Sequence, residues 1–209
     1  MIIVIFAVAI AAYLIGSVNF GIIVSKIRHK KDVRDYGSGN AGATNTLRTF
    51  GKTSALIVML GDMLKGAAVI WISKYALTGF ALSQYFVYVA GVAVLLGHIF
   101  PVFFGFRGGK GVSTTAGIML AFSPVTFLIL LAVFIIVLCI SKYVSLSSIT
   151  AVILYAPVNA LIYYLMNKTV NCMEIIFPII VAVIVVFLHR QNIVRLIHHN
   201  ESKISFKKQ

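Results

Sequence analysis

Carboxylates are almost missing from this chain. Only Asp32, Asp35, Asp62, Glu174 and Glu201 occur in 209 residues, too few for a carboxylate metal cage, a two-metal site or the acid pair of a glycosidase. Charge of either sign is scarce: 11% of residues are Asp, Glu, Lys or Arg, against about a quarter in soluble domains. With 60% apolar residues and a mean hydropathy of +1.01, the balance speaks against a water-soluble globule. Cysteine is limited to Cys139 and Cys172, which fall near opposite ends of apolar runs. A bilayer's thickness is beyond disulfide reach, so both read as small apolar side chains. No repeat, low-complexity tract or linker divides the chain, and residues 1–209 are expected to form one membrane-embedded domain. What is abundant is positive charge. Eighteen Lys and Arg give a net charge of +13, which suits an anionic partner: lipid headgroups, a phosphate-bearing substrate or nucleic acid.

A hydrocarbon core about 30 Å thick calls for roughly 20 apolar residues per helical crossing. The runs Met1–Val24, Ser54–Ala76, Ser83–Phe104, Ser145–Leu165 and Met173–Leu188 supply five. Met1–Val24 lacks the basic leading segment of a cleaved signal peptide. The stretch Val112–Ser141 is too long for one upright span and contains Ser123-Pro124, so it divides into Val112–Phe122 and Val125–Ser141. With seven crossings, only Lys74 and Lys168 fall outside and Lys65 within a span; the other Lys and Arg share one side. Six crossings would spread them over both sides. The expected architecture is therefore all-α, with seven transmembrane helices, the N-terminus outside and the C-terminus cytoplasmic. The tail Asn200–Gln209 reads as polar and frayed.

Three polar clusters collect on the basic side. The first, Gly37-Ser38-Gly39-Asn40-Ala41-Gly42-Ala43-Thr44-Asn45 with Arg48, predicts an N-cap at Asn40 and a short helix Ala41–Phe50 ended by Gly51. Thr44, Asn45 and Arg48 would share one face beside a helix start, an anion receptor by residue type. A solvated loop with a capped helix explains these residue types slightly better. The second, Gly105-Phe106-Arg107-Gly108-Gly109-Lys110-Gly111-Val112-Ser113-Thr114, runs straight into a predicted span. Its N–H groups, the helix dipole behind them and the Lys110 ammonium point to phosphate. It is not a Walker A loop: three residues separate Gly105 from Gly109, and Gly111 follows the lysine where Ser or Thr belongs. The third cluster holds His189, Asn192 and Arg195, followed by Glu201 and Lys203; alone it reads as a lipid-surface contact. His198 and His199 have no supporting ligand set for a metal. Inside the membrane, the spacing of Asp62 and Lys65 predicts a neutralising pair that holds the bundle together. His98 serves equally well as a structural histidine or as a support for the glycine loop.

Together, GSGNAGATN with its arginine, the D-x-x-K-G of Asp62 to Gly66, GHIFPVFFGFRGGKGVST and HRQNIVRL closely resemble the bacterial acyl-phosphate-dependent glycerol-3-phosphate acyltransferases, the PlsY family. The resemblance spans nearly the whole chain. Two departures stand out: Gly16-Ser17-Val18-Asn19 where the family usually reads G-S-I-P, and His199-Asn200-Glu201, which lacks the usual glycine ahead of the acid. The resemblance implies acyl transfer from acyl phosphate to the sn-1 hydroxyl of glycerol 3-phosphate, giving lysophosphatidic acid and inorganic phosphate for phospholipid synthesis. It also implies a multi-pass protein of the bacterial cell membrane with its active site on the cytoplasmic side. No cofactor or metal is called for, membrane lipids are partners, nucleic acid is not, and a link to the enzyme that makes acyl phosphate is expected.

Under that resemblance Gly108, Gly109, Lys110, Gly111, Val112, Ser113, Thr114 and Asn45 would bind acyl phosphate. Ser38, Arg48, Lys110, His189 and Asn192 would bind glycerol 3-phosphate and form the catalytic set. Asn40, Asp62, Lys65, His98 and Arg195 would support them. No histidine has an aspartate five residues on, and no Gly-x-Ser-x-Gly occurs, so neither a His–Asp base nor an acyl-serine is expected. The main rival is a transporter of phosphate or organic phosphate esters. Transporters tend to place their sites at the midplane between repeated halves, whereas here no halves repeat and the clusters share one face.

Overall fold

The computed structural model describes residues 2–79 and 83–204, and every regular element among them is helical. The helices are α1 (Ile2–Ser17), α2 (Phe20–His29), α3 (Ala43–Ala76), α4 (Ser83–Ile99), α5 (Val112–Phe122), α6 (Pro124–Ser141), α7 (Val144–Ile153), α8 (Tyr155–Asn167), α9 (Met173–Leu188) and α10 (Arg190–Ile197). Short 3-10 turns occur at Val33–Asp35 and Val102–Phe104. The chain forms two compact units, one ending at Phe122 and one beginning at Ser123.

Four helical stretches are long and apolar enough to cross a bilayer: Ile3–His29, Ala43–Ala76, Tyr85–Phe104 and Pro124–Ser141. Two bent pairs, Val144–Ile153 with Tyr155–Asn167 and Met173–Leu188 with Arg190–Ile197, qualify when each is taken as one span. The division at Ser123-Pro124 is where the sequence places it: Ser123 Oγ accepts from Thr126 N at 3.3 Å and caps α6, with Pro124 in its first turn.

Two expected spans are interrupted without ceasing to qualify as spans, and one expectation needs correction. The charge-free run Met1–Val24 is broken at Val18-Asn19. Asn19 starts a new helix because its side-chain oxygen accepts from Ile22 N at 3.1 Å. Met1 itself lies outside the described residues. The run Ser145–Leu165 is bent by 44° at Leu154, because Pro157 has no N–H for the Ile153 carbonyl. Nor is the tail frayed as far as it is described. Ile204 N donates to the Lys142 carbonyl at 2.8 Å, and Glu201 is buried. Residues 205–209 of that predicted tail lie outside the described ones.

In the first unit, paired glycines bring helix backbones together. A side chain on Gly16 or Gly97 would overlap the carbonyl of Val94 or Tyr13, locking α1 to α4. A side chain on Gly66 or Gly117 would likewise overlap the carbonyl of Thr114 or Met63, locking α3 to α5. The second unit is joined by polar side chains. Asn159 donates to the Glu174 carbonyl at 2.7 Å and accepts from Thr126 Oγ1 at 3.2 Å.

Candidate active site

The first loop is built around one carboxamide. Asn45 Nδ2 donates to the carbonyls of Val33, Tyr36 and Asn40 at 2.9–3.0 Å, while its Oδ1 accepts from Ser38 N at 2.9 Å. Asn45 is 2% exposed. Its side chain therefore folds the loop and presents Ser38, rather than reaching out to a ligand as the sequence suggested. Asn40 is not the N-cap either. That position belongs to Gly42, and Asn40 instead lends its carbonyl to Asn45. Gly51 does interrupt the helix, at φ 82°, which glycine adopts without strain, but the helix resumes at once and runs on to Ala76. Ser38 and Arg48 are exposed on this loop and on the first turns of α3, and Thr44 is half-buried nearby.

The glycine loop also differs in detail from a simple nest. Gly108 N and Gly109 N donate to the carbonyls of Ile99 and His98 at 3.0 and 3.2 Å, so both face their own chain. Helix geometry instead leaves the first N–H groups of α5, at Val112, Ser113 and Thr114, without intrahelical acceptors. Lys110 is half-buried just ahead of them, and Thr114 is buried with no partner for its hydroxyl among the described residues.

Beneath this loop sits the intramembrane pair. Lys65 Nζ lies 2.7 Å from Asp62 Oδ1 and also donates to the Val18 carbonyl at 2.8 Å, as the spacing of the two residues predicts. His98 joins them, with Nδ1 3.1 Å from Lys65 Nζ and 3.4 Å from Asp62 Oδ1. The other edge of its ring supports Gly109: a Cβ there would overlap Nε2. His98 therefore contacts both the buried pair and the glycine loop, and Gly109 has a steric reason to be glycine.

In the second unit α9 ends at Leu188 and the chain bends by 60° through His189 into α10. His189 and Asn192 are 4% and 6% exposed. His189 Nδ1 lies 2.8 Å from the Val185 carbonyl, which can only accept, so Nδ1 carries a proton. Glu201 organises the rest. Its Oε1 accepts from Asn192 Nδ2 at 2.7 Å and Ser145 Oγ at 2.9 Å, and its Oε2 accepts from Arg195 Nε at 2.7 Å. Burial alone would raise the Glu201 carboxyl, but the bonds from Arg195, Asn192 and Ser145 outweigh it and hold the group below the ordinary carboxylate range. The tail reaches this position by turning through His199 at φ 56°, a conformation that costs glycine less.

Two contributors have roles that a reading by motif misses. Glu201 looks like a stray acid in a basic tail, and Arg34 like one more cytoplasmic cation. With five carboxylates in the chain, the signal was scarcity itself: an isolated acid among cations has a structural use. Asp32 and Arg34 form such a pair, Asp32 Oδ2 accepting from Arg34 Nη2 at 2.8 Å. The hydrogen bonds from Arg34 hold the Asp32 carboxyl below its usual range.

A family model described as glycerol-3-phosphate acyltransferase matches residues 6–199. The glycerol-3-phosphate acyltransferase of Thermoanaerobacter pseudethanolicus is 44% identical over 201 residues, 95% of each chain. That of Cupriavidus pinatubonensis is 42% identical over 96% of each. Among solved structures, the glycerol 3-phosphate form of PlsY, an integral membrane glycerol 3-phosphate acyltransferase, is similar with a TM-score of 0.83. It is 36% identical, with 96% of each chain covered. Its lysophosphatidic acid form gives a TM-score of 0.80 at 35% identity, covering 96% of this chain and 95% of that one.

Proposed function

Because the chain belongs to the glycerol-3-phosphate acyltransferase family, integral membrane enzymes of phospholipid synthesis, we propose that its acyl donor is acyl phosphate and its product lysophosphatidic acid. The observation that carries this reading is the glycine–lysine loop: braced from below by His98 and opening into the N-terminus of α5, it suits a phosphate held at the start of an apolar helix. The first N–H groups of α5, with Ser113 and Thr114, hold the acyl phosphate, and Gly108, Gly109 and Gly111 shape the loop around it. Ser38, Arg48, Lys110, His189 and Asn192 hold glycerol 3-phosphate.

The reaction is direct. The sn-1 hydroxyl oxygen attacks the acyl carbon, the bond from that carbon to the phosphate oxygen breaks, and the departing phosphate takes the hydroxyl proton. The mixed anhydride is already activated, so positioning and charge stabilisation suffice, with Lys110 offsetting the charge that gathers on phosphate. Asp62, Lys65 and His98 brace the loop, Asn40 and Asn45 fold the Ser38 turn, and Arg195 steadies Glu201. The four long spans, the two bent pairs and the short α5 support seven crossings. The basic bias then puts the N-terminus outside and the site at the cytoplasmic face of the bacterial cell membrane. Acyl phosphate, being both reactive and lipid-like, is expected to come from a membrane-associated enzyme that makes it.

The test is phosphate release from palmitoyl phosphate by detergent-purified protein, with each substrate omitted in turn. Release that requires glycerol 3-phosphate supports the transferase, whereas uptake into liposomes without release would make the protein a transporter. Lys110→Ala should lower kcat/KM about 10²–10³-fold, the usual loss for one donor at developing charge. Near-normal kcat/KM would remove Lys110 from the reaction, and an acyl group trapped on Ser38 would refute direct transfer.

A further inference from the structure

The 3-10 turn Val33–Asp35 holds two loops at once. On one side the Val33 carbonyl accepts from Asn45, whose oxygen fixes Ser38 N. On the other, Arg34 Nη1 donates to the carbonyls of Phe104 at 2.7 Å and Arg107 at 3.1 Å, directly ahead of Gly108. Asp32 sets the aim of the guanidinium, accepting Nε at 3.0 Å and Nη2 at 2.8 Å. The two side chains are 18% and 16% exposed, so solvent screens the pair only in part. The underside of the bracket is apolar: Val33, Ile22 and Ala41 are fully buried, with Phe50 and Phe104 packed against them.

The reaction itself has no use for this pair, yet through it the Ser38 loop and the glycine loop are tied by side-chain hydrogen bonds that span 70 and 73 residues of sequence. We propose that Asp32 and Arg34 are positioning residues that hold the glycine loop in register with Ser38 and the first turns of α3, and so set the affinity for both phosphates together. The proposal rests on the reading that these two loops receive the two substrates. Arginine is suited to this by its planar fork. One edge meets the carboxylate while the remaining N–H groups reach two carbonyls, an arrangement a lysine ammonium cannot reproduce.

The experiment compares wild type with Arg34→Met, Arg34→Lys and Asp32→Asn as full-length purified protein. It reads kcat, the KM for palmitoyl phosphate and for glycerol 3-phosphate, and amide hydrogen exchange over residues 105–115. Arg34→Met should raise both KM values roughly tenfold, as expected for lost charge-assisted hydrogen bonds, and speed exchange in the glycine loop. Arg34→Lys should recover only part of this. Unchanged KM values, with only kcat or folded yield reduced, would make the pair a purely structural staple and overturn the proposal. Should Arg34→Met fail to fold, Asp32→Asn decides: both KM values should rise about two- to threefold, and no rise is a refutation. Wild type inactive on palmitoyl phosphate would sink the functional reading instead. The bracket would then stand or fall on exchange alone, unchanged protection over 105–115 refuting it.

Discussion

The two units of the chain weight two modes of helix packing differently. All 16 glycines precede Ser123 and none follows it. In the first unit α1 meets α4, and α3 meets α5, through reciprocal glycines set against main-chain carbonyls. The second unit relies on hydroxyl, amide and carboxylate side chains: Ser145, Asn192 and Arg195 on Glu201, and Thr126 and the Glu174 carbonyl on Asn159. Lipid offers little hydrophobic drive between helices, so either close backbone approach or interhelical hydrogen bonding has to supply the association. The contrast shows that one short chain can use each in turn.

Three substitutions sharpen or break this contrast. The largest effect belongs to Gly117→Val. Its branched side chain would have to enter the space of the Met63 carbonyl on a packed helix, and detergent-extracted folded protein should fall to a few per cent of wild type by size exclusion. Glu201→Gln comes next. Losing a charge-assisted bond to Arg195 should cost about 1–3 kcal/mol at pH 7, read as a lower thermal midpoint. Because the folded carboxyl lies below its ordinary value of 4.5, its stabilising contribution is complete above that value and is lost as pH falls through the folded one. The gap between variant and wild type should therefore narrow in acid. Ser148→Ala should matter least, within about 0.5 kcal/mol. Its hydroxyl donates to the Val144 carbonyl one turn back, an oxygen the helix already satisfies. If Ser148→Ala were as damaging as Gly117→Val, packing in the two units would not differ in kind.

Hydropathy and helix-breaking chemistry made much of the fold legible. The division of Val112–Ser141 and the bounds of α9 could be read because proline, capping serine and the apolar limit are local properties. The Asp62–Lys65 pair was legible from helical spacing alone. The break at Asn19 was not, since an apolar window registers preference for lipid and is blind to a side chain capping its own backbone. The bend at Leu154 had a signal in Pro157, but its cause lies three residues from its effect. Within the site, residue types identified Asn45, Gly108 and Gly109 as notable without revealing which way they face. Each makes its hydrogen bonds to carbonyls distant in sequence or folded back on themselves. Glu201 and Arg34 were hidden because their partners are chosen by tertiary folding.

The reciprocal glycines carry a consequence for how such a chain can change. What each of them abuts is main chain, so no second substitution elsewhere can whittle down the obstacle and make room for a larger residue. Ordinary core positions drift because neighbours trade volume; at Gly16, Gly97, Gly66 and Gly117 there is nothing to trade. Suppressor selections begun from a bulky residue at any of these four should yield reversion to a small residue, and compensating changes in the facing helix should not arise.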